Sequence, residues 1–200
     1  MNCIVGWLEM SEARVSISIP KDRIGVLIGQ NGCTKRAIEG KFNVVIDVDS
    51  ESGLITVTQK NKESNPLAFL RAKEVIMAIG RGFSPEKAFS LFDEDTVLEV
   101  INLRDALGKS EKDIARIKSR IIGEGGKTRK IIEECTGTSI CVYGHTVALL
   151  GDFEGLSIAR EAIEMLIRGK QHSTVYKFLW AKRRGIKKKK ALELWEKPAL

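Results

Sequence analysis

IGQNGCTKRAIE, residues 28–39, returns as IGEGGKTRKIIE at residues 122–133, which is 94 positions later. The isoleucine, the outer glycines, a threonine, a second isoleucine and a glutamate recur at matching places, and Lys35 matches Arg129 in charge. The similarity extends to the ends of both copies, because EVIMAIGRG at residues 74–82 resembles EAIEMLIRG at residues 161–169. A repeat of this length predicts two copies of one structural unit.

Each copy is predicted to fold as strand, helix, glycine loop, helix, strand, strand, helix. Apolar residues alternate along the chain, as in half-buried strands, at residues 15–19 and 44–48, and residues 55–57 form the next strand. In the second copy, strands are predicted at residues 97–101, 139–142 and 146–149. Asn65 and Pro66 suit the cap and first position of a closing helix, which has one apolar face: Ala68, Ala72, Val75, Ile76 and Ile79. A charged connection, residues 104–112, is expected before the first helix of the second copy.

The Gly-x-x-Gly loop between two helices suits contact with phosphate. Glycine lets another backbone approach closely, and the following helix offers free N–H groups and the positive end of its dipole. Cations follow each loop: Lys35 and Arg36 in the first copy, and Lys127, Arg129 and Lys130 in the second. Ile28 and Ile122 are expected to anchor the loops in the core. A plain glycine turn is the alternative, but two loops at matching places favour a binding role.

Catalytic and metal chemistry is not indicated. Gly126-Lys127-Thr128 resembles the end of a nucleotide-binding P-loop, but Ile121 stands where that motif needs a glycine. The chain has two histidines, without a nucleophile and acid nearby in sequence, and four cysteines without a C-x-x-C pair. We therefore predict a protein that is not an enzyme and needs no metal or cofactor.

The net charge of +7 comes from the C-terminal end. Residues 1–170 hold 24 Lys or Arg and 24 Asp or Glu, whereas residues 171–200 hold nine and two. This tail is predicted to contact the phosphates of a polyanion as a basic arm or, alternatively, to dock through a face of Val175, Tyr176, Leu179 and Trp180 and end in solvent. The arm contacts would be Lys182, Arg183, Arg184, Lys187 and Lys188.

Targeting signals are not evident either. No stretch reaches the roughly 18 uninterrupted apolar residues of a membrane span, and the N-terminus lacks a basic segment of the signal-peptide kind. We expect a cytoplasmic protein that does not bind membranes.

Both copies resemble type I KH domains, the single-stranded RNA modules whose Gly-x-x-Gly loop grips the backbone of about four nucleotides. The resemblance implies an α+β fold with two tandem KH domains, each a three-stranded antiparallel sheet packed on three helices. The expected boundaries are residues 10–83 for the first domain, 84–96 for an acidic connector, 97–170 for the second domain and 171–200 for the basic tail.

The KH resemblance also assigns RNA-binding positions, in the loop and in an apolar groove beside the second strand. In the groove these are Val44, Ile46 and Asp49, and then Ile140, Val142 and Tyr143. Lys35 and Arg129 stand where the usual KH pattern has an aliphatic residue. The loop positions are Ile28, Gly29, Gln30, Asn31, Gly32, Lys35 and Arg36 in the first copy, and Arg120, Ile122, Gly123, Glu124, Gly125, Gly126, Lys127, Arg129 and Lys130 in the second.

The tandem pair resembles the partner-of-Nob family, KH factors of small-ribosomal-subunit assembly. The resemblance rests on IIGEGGKTR at residues 121–129, LLGDF at 149–153 and HSTVY at 172–176. It implies an archaeal, monomeric protein that binds single-stranded RNA near the 3′ end of small-subunit rRNA, beside a Nob-type endonuclease. A link to the alpha subunit of initiation factor two is also implied. The alternative is a KH scaffold in which one copy docks a protein instead of RNA.

Overall fold

The computed structural model describes residues 14–60, 66–108 and 110–196, with side chains described up to Lys188 except at Pro66. The chain divides into two compact units, residues 1–80 and 81–200. The segment predicted as an acidic connector is grouped with the second unit. Asn65, the predicted cap, lies outside the described residues.

Unit 1 has the predicted order of elements. They are β1 (Arg14–Ser18), α1 (Lys21–Ile28), a 3-10 turn (Gln30–Gly32), α2 (Cys33–Phe42), β2 (Val44–Asp49), β3 (Leu54–Gln59) and α3 (Pro66–Gly80). The sheet is antiparallel in the order β1-β3-β2, so that β2 is an edge strand. Val57 of β3 lies opposite both Val15 and Ile46, which sets the register.

The turn from β2 to β3 shows how local sequence fixes the unit. The Asp49 carboxylate accepts hydrogen bonds from the Ser52 hydroxyl at 2.6 Å and from the Glu51 backbone N–H at 2.9 Å. These bonds hold the pKa of Asp49 below its ordinary value. Gly53 completes the turn at φ 76°, a backbone angle that favours glycine.

Unit 2 repeats this plan with additional helices. Its elements are α4 (Pro85–Ala88), a 3-10 turn (Phe89–Phe92), β4 (Thr96–Asn102), α5 (Leu103–Leu107), α6 (Glu111–Ile122), a 3-10 turn (Glu124–Gly126), α7 (Lys127–Thr136), β5 (Ser139–Tyr143), β6 (Thr146–Asp152), α8 (Phe153–Ile167) and α9 (His172–Glu196). The sheet is antiparallel in the order β4-β6-β5. Both units therefore confirm the α+β prediction of a three-stranded sheet with helices.

Each unit buries its own core. In unit 1 the apolar face of α3 is confirmed by the fully buried Ala72, Val75, Ile76 and Ile79, whereas Ala68 is half-buried. The elements that α3 contacts contribute the fully buried Leu27, Ile38, Ile55 and Val57. In unit 2, Ile121, Ile132, Leu149 and Ile163 form one cluster with Val175 and Leu179 of α9.

One segment differs from the prediction, and the C-terminal segment follows the docking alternative in part. The charged connection at residues 104–112 contains α5, because the Asn102 side chain caps it by accepting from the Arg104 N–H at 3.1 Å. The predicted tail is one helix from His172 to Glu196, and its first turns are docked by Val175 and Leu179, which are fully buried. Tyr176 and Trp180, which the docking alternative placed on that face, stay partly exposed beside it.

Candidate nucleic-acid interface

The two glycine loops have nearly the same backbone conformation. Gly29 and Gly123 have φ 72° and 73°, and Gly32 and Gly126 have φ 75° and 76°. Between them, Asn31 at φ 49° corresponds to Gly125 at φ 56°. Asparagine is one of the few residues with a side chain that tolerates this region. The same loop is thus built twice from partly different residues.

A threonine beneath each loop fixes its shape. Thr34 and Thr128 are buried, and a Cβ added at Gly29 or Gly123 would overlap the hydroxyl oxygen of the threonine five positions later. Glycine is therefore required at the first loop position both by its positive φ and by this close approach. In the second copy, Thr128 Oγ1 also lies 2.8 Å from the hydroxyl of Tyr176, within hydrogen-bond distance.

The loops are anchored by the residues before the predicted ones. Leu27 and Ile121 are fully buried, whereas Ile28 is half-buried and Ile122 is 38% exposed. The prediction that Ile122 anchors the loop is wrong because of the phase of α6. Ile114, Ile117 and Ile121 occupy its buried face, and the next residue lies about 100° away around the helix. Ile122 instead offers apolar surface at the start of the loop.

A glutamate closes the gap between the second helix and the edge strand in both copies. Glu39 Oε1 accepts a hydrogen bond from the Ile46 N–H at 2.9 Å, and Glu133 Oε1 accepts one from the Ile140 N–H at 2.8 Å. The same carboxylates lie near Lys35 and Arg129, the cations that stand where the usual KH pattern has an aliphatic residue. Lys35 Nζ is 3.9 Å from Glu39, and Arg129 Nε is 3.9 Å from Glu133. Each glutamate therefore joins its helix to the edge strand and pairs with a cation on the same helix.

The predicted groove side chains divide into two groups. Val44, Ile46 and Ile140 are buried in the cores, so a ligand would meet the backbone edge of their strands. Val142 and Tyr143 are half-buried, and Asp49 is exposed at the turn described above.

The cations around the two loops are used differently. Arg36 folds back and donates to the carbonyl oxygens of Asn31 and Gly32, so it braces its own loop. Lys127 and Lys130 are exposed beside the second loop, and so is the acidic Glu124. Arg120 is half-buried, and its Nε is buried without a hydrogen-bond partner among the described residues.

The predicted arm cations also separate into two groups. Lys182 pairs with Glu161 at 3.7 Å, and Arg183 lines a cavity with Cys135. Burial raises the pKa of the Cys135 thiol, and the Arg183 guanidinium opposes that shift in part. Arg184, Lys187 and Lys188 are exposed. None of the described helices is long and apolar enough to cross a membrane.

Sequence reasoning gave no structural role to Thr34, Thr128, Glu39 and Glu133. The signal was present, since the threonine and the glutamate recur at the same places in the repeat. His172 and Tyr176, which approach the second loop from α9, have no counterpart in the described part of unit 1 and no such signal.

The two loops, the repeated sheet order and the helices around them define a tandem KH-domain protein. The family model described as "Eukaryotic type KH-domain (KH-domain type I)" matches residues 97–184, and the "KH domain" model matches residues 14–77. The chain belongs to the archaeal tandem KH proteins of the partner-of-Nob type.

Named relatives agree with that family. The chain is 45% identical over 194 residues to the KH domain-containing protein MJ0443 of Methanocaldococcus jannaschii, covering 97% of this chain and 84% of that protein. The crystal structure of Dim2p from Pyrococcus horikoshii OT3 is 46% identical over 84% of this chain and 99% of its own, with a TM-score of 0.78. An a/eIF2alpha-aDim2p-rRNA complex from the same organism contains a chain that is 45% identical, with a TM-score of 0.82, covering 90% of this chain and 98% of that one.

Proposed function

We propose that this protein binds single-stranded RNA near the 3′ end of small-subunit rRNA, as a non-enzymatic, cytoplasmic factor in assembly of that subunit. The observation that carries the proposal is the pair of loops with matching backbone angles, each opening a helix of ten residues. Support for the target comes from the similar chain, which was solved in complex with rRNA.

The loop would hold the sugar-phosphate backbone and the strand edge would face the bases. The αL glycines leave the loop surface without side-chain obstruction, and the helix dipoles favour phosphate there. Lys127 and Lys130 add positive charge at the second loop. KH grooves admit unstacked bases and exclude a duplex, so the ligand must be single-stranded.

A second function is favoured by the same complex, because it also contains a/eIF2alpha. We propose that one surface of this protein binds the alpha subunit of initiation factor two while RNA is bound elsewhere. A Nob-type endonuclease is the further partner that the family resemblance implies. Titrating the purified alpha subunit into the full chain, with and without RNA, tests this role: a complex in both conditions supports a scaffold, and none in either refutes it.

The RNA proposal is tested with three ligands of equal length. They are an oligoribonucleotide of the rRNA 3′ end, a scrambled oligoribonucleotide, and the first one annealed to its complement. We expect the full chain to bind the first best, by about tenfold or more over the others at physiological salt. Equal affinity for the single strands would remove the assigned target, and equal affinity for all three would remove the KH mechanism.

A further inference from the structure

A cavity lies beside the second loop. It has a volume of about 510 Å³ and lies between α6, the loop and the start of α9. Arg116, Arg120 and Lys127 line it together with Thr128, His172 and Tyr176. The cations outnumber the one carboxylate in the lining, that of Glu124, so the cavity suits an anionic ligand.

Aromatic rings continue from this cavity along α9. His172 and Tyr176 have centroids 6.2 Å apart, and so have Tyr176 and Trp180. Trp180 is 49% exposed although large apolar side chains usually avoid water. A row of partly exposed rings beside a positive surface is the arrangement on which single-stranded nucleic acids stack their bases.

The walls of the cavity are fixed by polar contacts. The Tyr176 hydroxyl lies 2.8 Å from Thr128 Oγ1, and His172 Nε2 lies 3.0 Å from the carbonyl oxygen of Arg120. These contacts tie α9 to the loop and to α6, so the rings of His172 and Tyr176 are held in place before any ligand arrives. The Arg120 guanidinium is fixed as well, since its Nη2 donates to the Lys170 carbonyl oxygen at 2.5 Å.

We infer that this cavity and ring row form an additional nucleotide subsite, continuous with the second loop, for single-stranded RNA beyond the nucleotides held in the groove. A phosphate lies near Lys127 and Arg120, and one or two bases stack on Tyr176 and Trp180. The inference rests on the proposed RNA-binding function. It makes the second copy read a longer strand than the first.

The test compares RNA lengths on the full chain. One oligoribonucleotide has four nucleotides, and others are extended by three at the 5′ or the 3′ end. Extension at one end is expected to raise affinity about tenfold in the unaltered chain, and an abasic extension is expected to raise it much less. Trp180→Ala should abolish the gain from extension and leave binding of the four-nucleotide RNA unchanged.

Phe153→Ala is the matched control, because Phe153 is an exposed aromatic residue of unit 2 that lines a different cavity. The Phe153→Ala variant should show the same increase in affinity for the extended RNA as the unaltered chain. In a chain with Trp7→Phe and Trp195→Phe, the fluorescence of Trp180 should be quenched by the extended RNA and not by the short one.

The possible failures are distinguishable. A gain from extension that survives Trp180→Ala, without quenching, overturns the subsite and leaves the proposed function intact. So does the absence of any gain in the unaltered chain. Failure of the unaltered chain to prefer single-stranded RNA over the duplex overturns the proposed function and the subsite together.

Discussion

Glu133 joins the second helix of its KH unit to the edge strand through the backbone amide of Ile140, at 2.8 Å. Glu39 and Ile46 make the same bond in the first unit. Removing one partner of such a bond leaves a polar group unsatisfied, at a cost of about 1–3 kcal/mol. We expect Glu133→Ala to lower the free energy of unfolding by that amount, and Glu133→Gln, which keeps an acceptor, to lower it less.

Urea denaturation measures this change as a shift in midpoint at constant slope. Glu134→Ala is the control, because the neighbouring Glu134 is exposed and makes no bond to β5 among those described. Equal shifts for the alanine variants at 133 and 134 would show that the bond to Ile140 does not contribute.

A glycine pair in the first unit is expected to respond in opposite directions. Gly29→Ala places a Cβ against Thr34 at a positive φ and should destabilise by about 1–2 kcal/mol. Gly25→Ala lies within α1 with no atom within 4 Å of the new Cβ, and should stabilise by about 0.5–1 kcal/mol. Thermal melting of both variants measures the two changes, and shifts of the same sign would contradict this account of the loop.

The second loop is expected to carry more RNA affinity than the first. Arg36 is engaged by its own loop, whereas Lys127 and Lys130 are exposed. Glu124→Asp combined with Gly125→Asp adds a carboxylate to the phosphate path, and should weaken binding about tenfold, or 1.4 kcal/mol. Gly125→Asn is the neutral control, since asparagine occupies the corresponding position of the first loop.

Fluorescence anisotropy with the rRNA 3′-end oligonucleotide reports both affinities. Asn31→Asp adds the same single carboxylate at the corresponding position of the first loop. A loss as large as that in the second loop would disprove the asymmetry, and no loss in either would remove the loops from the RNA interface.

The exposed cations of α9 are expected to act through salt-dependent contacts. Replacing Arg184, Lys187 and Lys188 by Gln should flatten the slope of log affinity against log salt by up to about 0.7 per lost phosphate contact. Base preference should stay the same, because phosphate contacts carry no sequence information. The control replaces three exposed lysines elsewhere, Lys60, Lys87 and Lys112, by Gln. Equal slopes for the two triple variants would mean that Arg184, Lys187 and Lys188 do not contact RNA phosphates.

The described cysteines are expected to differ in reactivity. Cys33 is exposed at the start of α2, whereas Cys135 is buried and burial raises the pKa of its thiol. A raised pKa keeps the thiol protonated at neutral pH, and the thiolate is the reacting form. Iodoacetamide followed by mass spectrometry should modify Cys33 at least about tenfold faster than Cys135 in the native chain. Comparable rates would indicate that the packing around Cys135 opens readily and exposes its thiol to the reagent.

The fold was predictable because its signals are local. The alternation of apolar residues in a strand and the glycines of a loop are each recognised within a few residues. Both signals occur in each copy of the repeat. The partners of Glu39 and Glu133 were not predictable, since they lie seven positions away and depend on how α2 and α7 approach the sheets. Ile121 is buried rather than Ile122 because it continues the face of α6 that Ile114 and Ile117 begin. Both of these residues precede the loop motif, so the motif alone does not show which isoleucine is buried.

Because α9 is one continuous helix, its basic residues lose less conformational entropy on binding than a flexible arm would. A flexible arm loses conformational entropy when it settles on a polyanion, about 1–2 kcal/mol for each backbone residue that becomes fixed. In a helix of 25 residues the backbone is already fixed by folding, so this entropy is not lost again on binding. Arg184, Lys187 and Lys188, spaced at i, i+3 and i+4, therefore present their charges in a fixed direction, and an anionic partner can engage them without first ordering the chain.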